Sequence, residues 1–412
     1  MTIRQVTCTA PVNIAVVKYW GKRDSDLILP TNSSLSVTLS QDDLHSRTTI
    51  SIASQFTSDR MWLNGIECPI PTNQRLVNCL AGARQQRQDM ESRNPRLPKW
   101  STWGIHIASE NNFPTAAGLA SSASGYACLV FTLAQVLELP LTPSELSRYA
   151  RLGSGSACRS IMGGFVGWEM GQRADGADSL AYQVAPETHW PDLEALILVV
   201  SDAKKGTSST SGMQTTVNTS DLTQHRFANV VPERMRQMEA AIQAKDFPTF
   251  AELTMRDSNQ FHATCLDTYP PIFYMNDTSR AVVNVITAIN RLDAGIQAAY
   301  TFDAGPNAVI YAPKAHMPRL LLLMAYFFPG AASSADQTFE YFTNPYNAVP
   351  KGAALGKDFP AEFLAIKDQF DPSPRGSVKR IIHTRVGDGP RVLKNPESSL
   401  LNNQGLPKSL RA

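Results

Sequence analysis

Apolar and polar positions alternate in two stretches near the start of the chain, SLSVTLS (34–40) and RTTISIAS (47–54). Both are rich in β-branched residues, and a period of two with that composition predicts strands. In RMWLNGIEC (60–68) the Asn64-Gly65 pair between short apolar runs predicts a hairpin. The period then changes. NQRLVNCLAGARQQRQDM (73–90) predicts a helix, STWGIHIAS (101–109) a strand, and SASGYACLVFTLAQVLEL (122–139) a long helix whose continuous apolar character marks it as buried. Thr142, Pro143 and Glu145 form a capping box for a further helix. Gly153 is expected to end it, and SGSACRSIMGG (154–164) to open a short helix at a serine-rich turn.

PETHWPDLE (186–194) reads as a boundary. Beyond it ALILVVSD (195–202) predicts a buried strand, and RFANVVPERMRQMEAAI (226–242) sets Phe227, Val231, Met235, Met238 and Ile242 at helical spacing. RAVVNVITAINRL (280–292) predicts a helix, and AAYTFDAGPNAVIYA (298–312) a strand, tight turn and strand. RLLLLMAYFF (319–328) is apolar but too short to span a bilayer, and Pro-Gly ends it, so it reads as a buried helix. From about Asp371 the chain is rich in Pro, Gly and Arg and weakly patterned. No internal repeat is visible. The fold class expected is α+β with two domains, 1–190 and 191–370, and a C-terminal extension, 371–412.

Composition changes this picture little. The 412 residues are 43% hydrophobic, so a sizeable core is possible. The formal net charge of +2 gives no global field for nucleic acid or membrane. The six cysteines form no Cys-x-x-Cys pair and are too sparse for a disulfide framework. They read as reduced thiols in a cytoplasmic protein. The seven histidines show no zinc pattern, and the N-terminus lacks the apolar run of a signal peptide.

Candidate chemistry begins with NNFPTAAGLASSASG (111–125). A small-residue loop between strand and helix exposes free N–H groups at the positive end of a helix dipole, which suits an anion. Ser121 and Ser122 add hydroxyls for phosphate or magnesium. Close helix–strand packing also favours Gly and Ala, and on local pattern both readings stand. Neither Gly-x-x-x-x-Gly-Lys-Ser/Thr nor Gly-x-Gly-x-x-Gly is present. In SGSACRS, Ser154 and Ser156 can cap a helix, and Arg159 offers a planar fork for a carboxylate or phosphate; a plain N-cap with a surface arginine is the alternative. Asp303, at a strand end before Ala-Gly-Pro-Asn, is a candidate base or a turn-forming aspartate. Lys18, Tyr19 and Lys22, beside Trp20 and Gly21, suit a diphosphate or form a solvated basic turn. Together the patches suit a nucleotide plus an anionic substrate.

PTAAGLASSASG resembles the phosphate-binding loop of the GHMP small-molecule kinase superfamily. With NIAVVKYWGKRD, LPTNSSLSVTL, SGSACRSIMGGFVGWE, DSNQFHATCLDTYPPI, AYTFDAGPNAVI and the GLPKSL tail, nearly the whole chain is similar to its diphosphomevalonate decarboxylase family, eukaryotic type. Ser124 departs from the alanine typical there. The resemblance implies a two-domain GHMP kinase fold, with a ribosomal protein S5 domain 2-like N-terminal domain and a ferredoxin-like C-terminal domain. It implies an ATP- and Mg²⁺-dependent reaction on a small-molecule substrate, mevalonate 5-diphosphate, in a cytosolic homodimer that contacts neither nucleic acid nor membrane. By the same resemblance, Asp303 is the catalytic aspartate, Arg159 orients the substrate carboxylate and Lys18 helps with phosphate charge. Tyr19, Trp20, Gly21, Lys22, Arg75, Ser154, Gly155, Ser156, Ala157, Cys158, Ser209 and Thr210 surround the substrate. Gly118, Leu119, Ala120, Ser121 and Ser122 cradle ATP, with Ser121 near the metal. Rival readings are a superfamily kinase that stops after phosphorylation and a non-catalytic ligand-binding regulator.

Overall fold

The computed structural model describes residues 3–113, 121–201, 206–292, 295–331, 341–349 and 359–409. The first unit holds β1 (Arg4–Pro11), β2 (Asn13–Val17), β3 (Lys22–Asp24), β4 (Leu29–Pro30), β5 (Ser34–Thr38), β6 (His45–Ala53), β7 (Arg60–Leu63), β8 (Ile66–Cys68), β9 (Gly104–Asn111), β10 (Phe165–Trp168) and β11 (Ala181–Ala185). Its helices are α1 (Gln74–Arg93), α2 (Ser121–Val136) and α3 (Pro143–Gly153). The second unit holds β12 (Leu193–Val199), α4 (Ser209–Thr219), α5 (Asp221–His225), α6 (Val231–Ala244), α7 (Phe247–Asp267), α8 (Asp277–Ile289), β13 (Ala299–Phe302), β14 (Ala308–Pro313), α9 (Met317–Phe327) and β15 (Arg380–Arg385); β16 (Arg391–Val392) follows. This is the α+β, two-domain architecture of the GHMP kinase fold.

Among the described residues three larger sheets organise it, in the orders β16-β1-β6-β9-β7-β8, β11-β10-β5-β2 and β13-β14-β12-β15, beside a two-stranded β3-β4 sheet. Ile50, Ile52, Ile105 and Ile107 face Leu76 and Leu80 of α1 and Leu129 and Leu133 of α2 in one core. A second core runs without a break from Ile14 and Val37 through Leu196 and Ile310 to Phe250, Ile286 and Leu320. The two units therefore share apolar packing, and strand β2 lies directly against α6 and α7.

The local chemistry explains the elements. Asn64 and Gly65 adopt φ of 51° and 82°, so both take the left-handed region that a two-residue hairpin requires. Thr142 and Glu145 form the reciprocal capping box, and Gly153 is the last residue of α3. The helix expected over 226–242 starts differently: Arg226–Val230 is a π-helical turn before α6. Pro232, in the first turn of α6, has no N–H to continue a regular ladder.

The segment after Asp371 is more ordered than its pattern suggested. β15 pairs with β12, and β16 crosses back to pair with β1. Gln5 Nε2 donates to Ser399 Oγ at 2.7 Å, and His106 Nδ1 lies 2.8 Å from the Gly405 carbonyl. Leu401, 1% exposed, packs on Trp62 and Ala108. All six cysteines are free thiols. Among the described residues, no helix is long and apolar enough to cross a membrane.

Candidate active site

Strand β2 ends at Val17, and the next residues turn into a cavity between the two units. Lys18 is 2% exposed, and its Nζ lies 2.6 Å from Asp303 Oδ1. Asp303 follows β13, and its carbonyl accepts the Gly305 N–H at 2.7 Å. Side-chain bonds that tie this turn to the end of β12 come from Asn307, whose Oδ1 accepts from Val200 N and Ser201 N at 2.7 and 3.0 Å. The Asp303 carboxylate is thus left facing Lys18.

Arg159 sits in the 3₁₀ turn Gly155–Ile161 and is 1% exposed. Its Nη1 donates to Ser34 Oγ at 2.6 Å and its Nε to Ser36 Oγ at 3.0 Å. Both serines are fully buried on β5, so the polar face of that alternating strand points inward. Among the described residues no carboxylate stands within ion-pair distance of Arg159. Burial pulls the guanidinium below its ordinary pKa. A buried cation with only neutral partners is costly, and an anion seated against it relieves that cost.

Tyr19 packs edge-on against Trp168 at 4.8 Å, and a Cβ at Gly155 would fall 2.7 Å from its ring. Its hydroxyl is buried without a hydrogen-bond partner among the described residues. Burial holds the phenol well above its usual pKa, so it remains a donor. Burial, then the Arg75 charge, lowers the half-buried Lys22 ammonium to about 8. Arg75 Nη2 donates to Thr210 Oγ1 at 2.7 Å. Ser209 and Thr210 open α4, where Ser208 accepts from the Ser211 N–H at 3.1 Å.

The cavity is lined by Lys18, Tyr19, Trp20, Lys22, Arg75, Ser154, Gly155, Ser156, Arg159, Ser209, Thr210, Ser122 and Asp303. Three expected neighbours do not line it. Gly21 has φ of 115°, and a Cβ there would meet Thr31, Phe227 and Val217. Ala157 and Cys158 are packed in cores, where burial pushes the Cys158 thiol up to about 12. Ser154 makes no cap bond for its turn; its hydroxyl lies 3.3 Å from Ser122 Oγ.

Sequence reasoning missed Asn13, which lines the cavity and donates to the Ser156 carbonyl at 3.0 Å and Ser160 Oγ at 2.7 Å. The signal was a lone amide ahead of an apolar run. Ala15, Ile28, Met213, Phe261 and Ala304 also line the wall, and nothing in their pattern marked them.

Ser122 also borders a second cavity, with Ser121 at the start of α2. Its walls are Met61, Leu63, Leu76, Tyr126 and Leu129, with Asn73, Ser109 and Asn111 as polar points. Gly118, Leu119 and Ala120 lie outside the described residues. Among the described residues no three His, Cys, Asp or Glu side chains gather to hold a metal.

An anion-seeking cavity and an apolar one meet at the start of a helix on this α+β fold, the layout of an enzyme with two adjoining small-ligand sites, as the resemblance to GHMP kinases implies. The comparisons narrow it. Residues 10–181 match the Diphosphomevalonate decarboxylase-like N-terminal domain, and residues 195–393 the Mevalonate 5-diphosphate decarboxylase C-terminal domain. A diphosphomevalonate decarboxylase from Ganoderma lucidum is 54% identical over 99% of this chain and 100% of its own. The structure of mevalonate diphosphate decarboxylase from Trypanosoma brucei is 36% identical, with a TM-score of 0.84 over 97% of this chain and 100% of its own. A structure of MDDEF in complex with MVAPP, AMPPCP and magnesium is 30% identical, with a TM-score of 0.72 over 96% and 100%. The chain belongs to the diphosphomevalonate decarboxylase family and is a carboxy-lyase.

Proposed function

We propose that this chain decarboxylates mevalonate 5-diphosphate with ATP through Asp303, Lys18 and Arg159. The 3-hydroxyl is phosphorylated, then phosphate and CO₂ leave, giving isopentenyl diphosphate and ADP. The tertiary hydroxyl is a poor nucleophile and hydroxide a poor leaving group, so phosphorylation must come first.

The observation that carries these roles is the buried Arg159, whose hydrogen-bond partners among the described residues are two serine hydroxyls, in the cavity that contains the Lys18–Asp303 pair. Its planar fork suits the substrate carboxylate. Asp303 takes the proton of the 3-hydroxyl, and Lys18 fixes that carboxylate and balances its charge. Lys22, Arg75, Tyr19, Ser209 and Thr210 take the diphosphate. When CO₂ departs, the electron pair of its bond to carbon forms the new double bond as the phosphate leaves. Arg159 aims the carboxylate for that step.

The nucleotide base takes the apolar cavity by Tyr126 and Leu129, and its phosphates meet Ser121 and Ser122 together with the Gly118–Ala120 segment. Ser122, lining both cavities, stands where donor and acceptor meet. The fit for Mg²⁺ is a hydroxyl one: Ser121 would hold it, with nucleotide phosphates and water supplying the other oxygens. Bound there, the ion screens phosphate charge. The related complex with MVAPP, AMPPCP and magnesium supports this arrangement. A cytosolic homodimer follows from the family resemblance, and the free thiols are in keeping with that compartment.

Asp303→Asn tests the reading. Phosphoryl transfer should fall by ~10²–10⁴-fold, the range of a positioned general base. ADP and CO₂ should fall together in single-turnover assays, while calorimetry shows substrate affinity nearly unchanged. An active, stable variant overturns the role. Normal ADP with CO₂ lost moves Asp303 to the second step.

A further inference from the structure

The turn Asp257–His262 of α7 touches the cavity only through Phe261, yet its first residues grip the backbone on either side of the reacting pair. Asp257 is fully buried, and its Oδ2 accepts the Lys18 N–H at 2.7 Å. Arg226 Nη2 donates to that same oxygen at 2.9 Å and to the Lys18 carbonyl at 3.2 Å. Asn32 Nδ2 adds a bond to the Lys18 carbonyl at 2.9 Å. Both backbone polar groups of Lys18 are therefore held. The next residue, Ser258, is 1% exposed and accepts the N–H of Phe302 at 3.0 Å. Phe302 immediately precedes Asp303. Asn259 then bonds the Tyr300 hydroxyl at 3.0 Å on the same strand.

The anchor is stiff. Arg234 Nη1 reaches Asp257 Oδ1 at 2.8 Å, and Gln260 Oε1 accepts from Arg226 at 2.7 Å and Arg234 at 3.0 Å. Burial alone would raise the Asp257 carboxyl; Arg226 and Arg234 outweigh it and hold it below the ordinary carboxylate range. Such a buried ion cluster adds little stability over apolar packing of the same volume. What it fixes is position.

We infer that Asp257 and Ser258 are positioning residues that set the Lys18–Asp303 geometry, one gripping the strand end that carries Lys18 and the other the strand end that carries Asp303. The inference rests on the reading that Asp303 acts on the 3-hydroxyl. Lys18 belongs to the first unit and Asp303 to the second, so any slide between the units would separate them. Neighbouring residues on one rigid helical turn remove that freedom. A misplacement of ~1 Å at a reacting centre costs on the order of 10²-fold in rate.

Asp257→Asn is the obvious variant, but it leaves the buried Arg226 and the partly exposed Arg234 without their counter-ion and can fail to fold. Ser258→Ala keeps the ion cluster and removes one acceptor. Its kcat should fall ~10–100-fold, within the penalty for sub-ångström to ångström misplacement. KM for ATP and for mevalonate 5-diphosphate should stay within about threefold, circular dichroism should match the parent, and melting should fall by only a few degrees for the unmet Phe302 N–H. In an Asp303→Asn background, Ser258→Ala should change the residual single-turnover rate less than about twofold, because the carboxylate it positions is gone. A parental kcat in Ser258→Ala, or an equal loss in both backgrounds, overturns the positioning role. An active Asp303→Asn enzyme overturns the reading beneath it instead, whatever Ser258→Ala does.

Discussion

Lys22 shows what one side chain contributes beyond its formal charge. An exposed lysine stays protonated through neutral pH, but burial and the neighbouring Arg75 bring this one to about 8. Below that pH it is a cation for the diphosphate; above it, a neutral amine. KM for mevalonate 5-diphosphate should therefore rise as pH increases through about 8, by at most about tenfold per pH unit for a single linked proton. Lys22→Arg keeps its charge and should flatten the rise; initial rates from pH 7 to 9.5 check this, with kcat as control. Asp303, Arg159, Lys18 and Lys22 stood out as charged residues beside Gly and Ser at strand and helix ends, but the local pattern left each with an ordinary structural reading, and their roles came from the family resemblance. Ser34 and Ser36 did not stand out. Their alternation with Leu35 and Val37 identifies a strand, but period alone cannot say whether the polar face meets water or a buried guanidinium.

Among elements, those with strong local signals were readable: the Asn64-Gly65 hairpin, the Thr142 capping box and the buried α2. A glycine at a helix end was readable in position but not in purpose. Gly153 ends α3, and its missing side chain makes room for Tyr126 of α2, whose ring atoms Cδ1 and Cγ would lie 2.1 and 2.4 Å from an added Cβ. Tyr126 in turn walls the apolar cavity and bonds Asn73 Oδ1 at 3.2 Å. Gly153→Ala must displace that ring. We expect a loss of ~1–3 kcal/mol from overpacking, seen in urea unfolding, and a KM for ATP raised more than that for mevalonate 5-diphosphate. Equal KM changes would mean that the nucleotide does not use this wall.

The whole molecule depends on partners distant in sequence, which no local pattern reveals. Strand β16 has two residues, too few for a periodic signal, and its partner β1 lies at the other end of the chain. Leu401 looks like a surface leucine in a polar tail until Trp62 and Ala108 are placed beneath it. Leu401→Ala should destabilise the protein by ~2–5 kcal/mol, as for other buried leucines. Both KM values should remain parental, since Leu401 lines neither cavity; equilibrium unfolding beside steady-state kinetics checks the split.

The crossing of β16 also orders events in time. During synthesis the first sheet emerges early, with β1, β6 and β9 available within the first 111 residues. Its outer strand is translated only after the whole second unit has been translated. The nascent first unit thus waits with the free edge of β1 unpaired, a surface open to other strands. The domain made first is the one completed last, and a chaperone that shields strand edges would have its longest opportunity there.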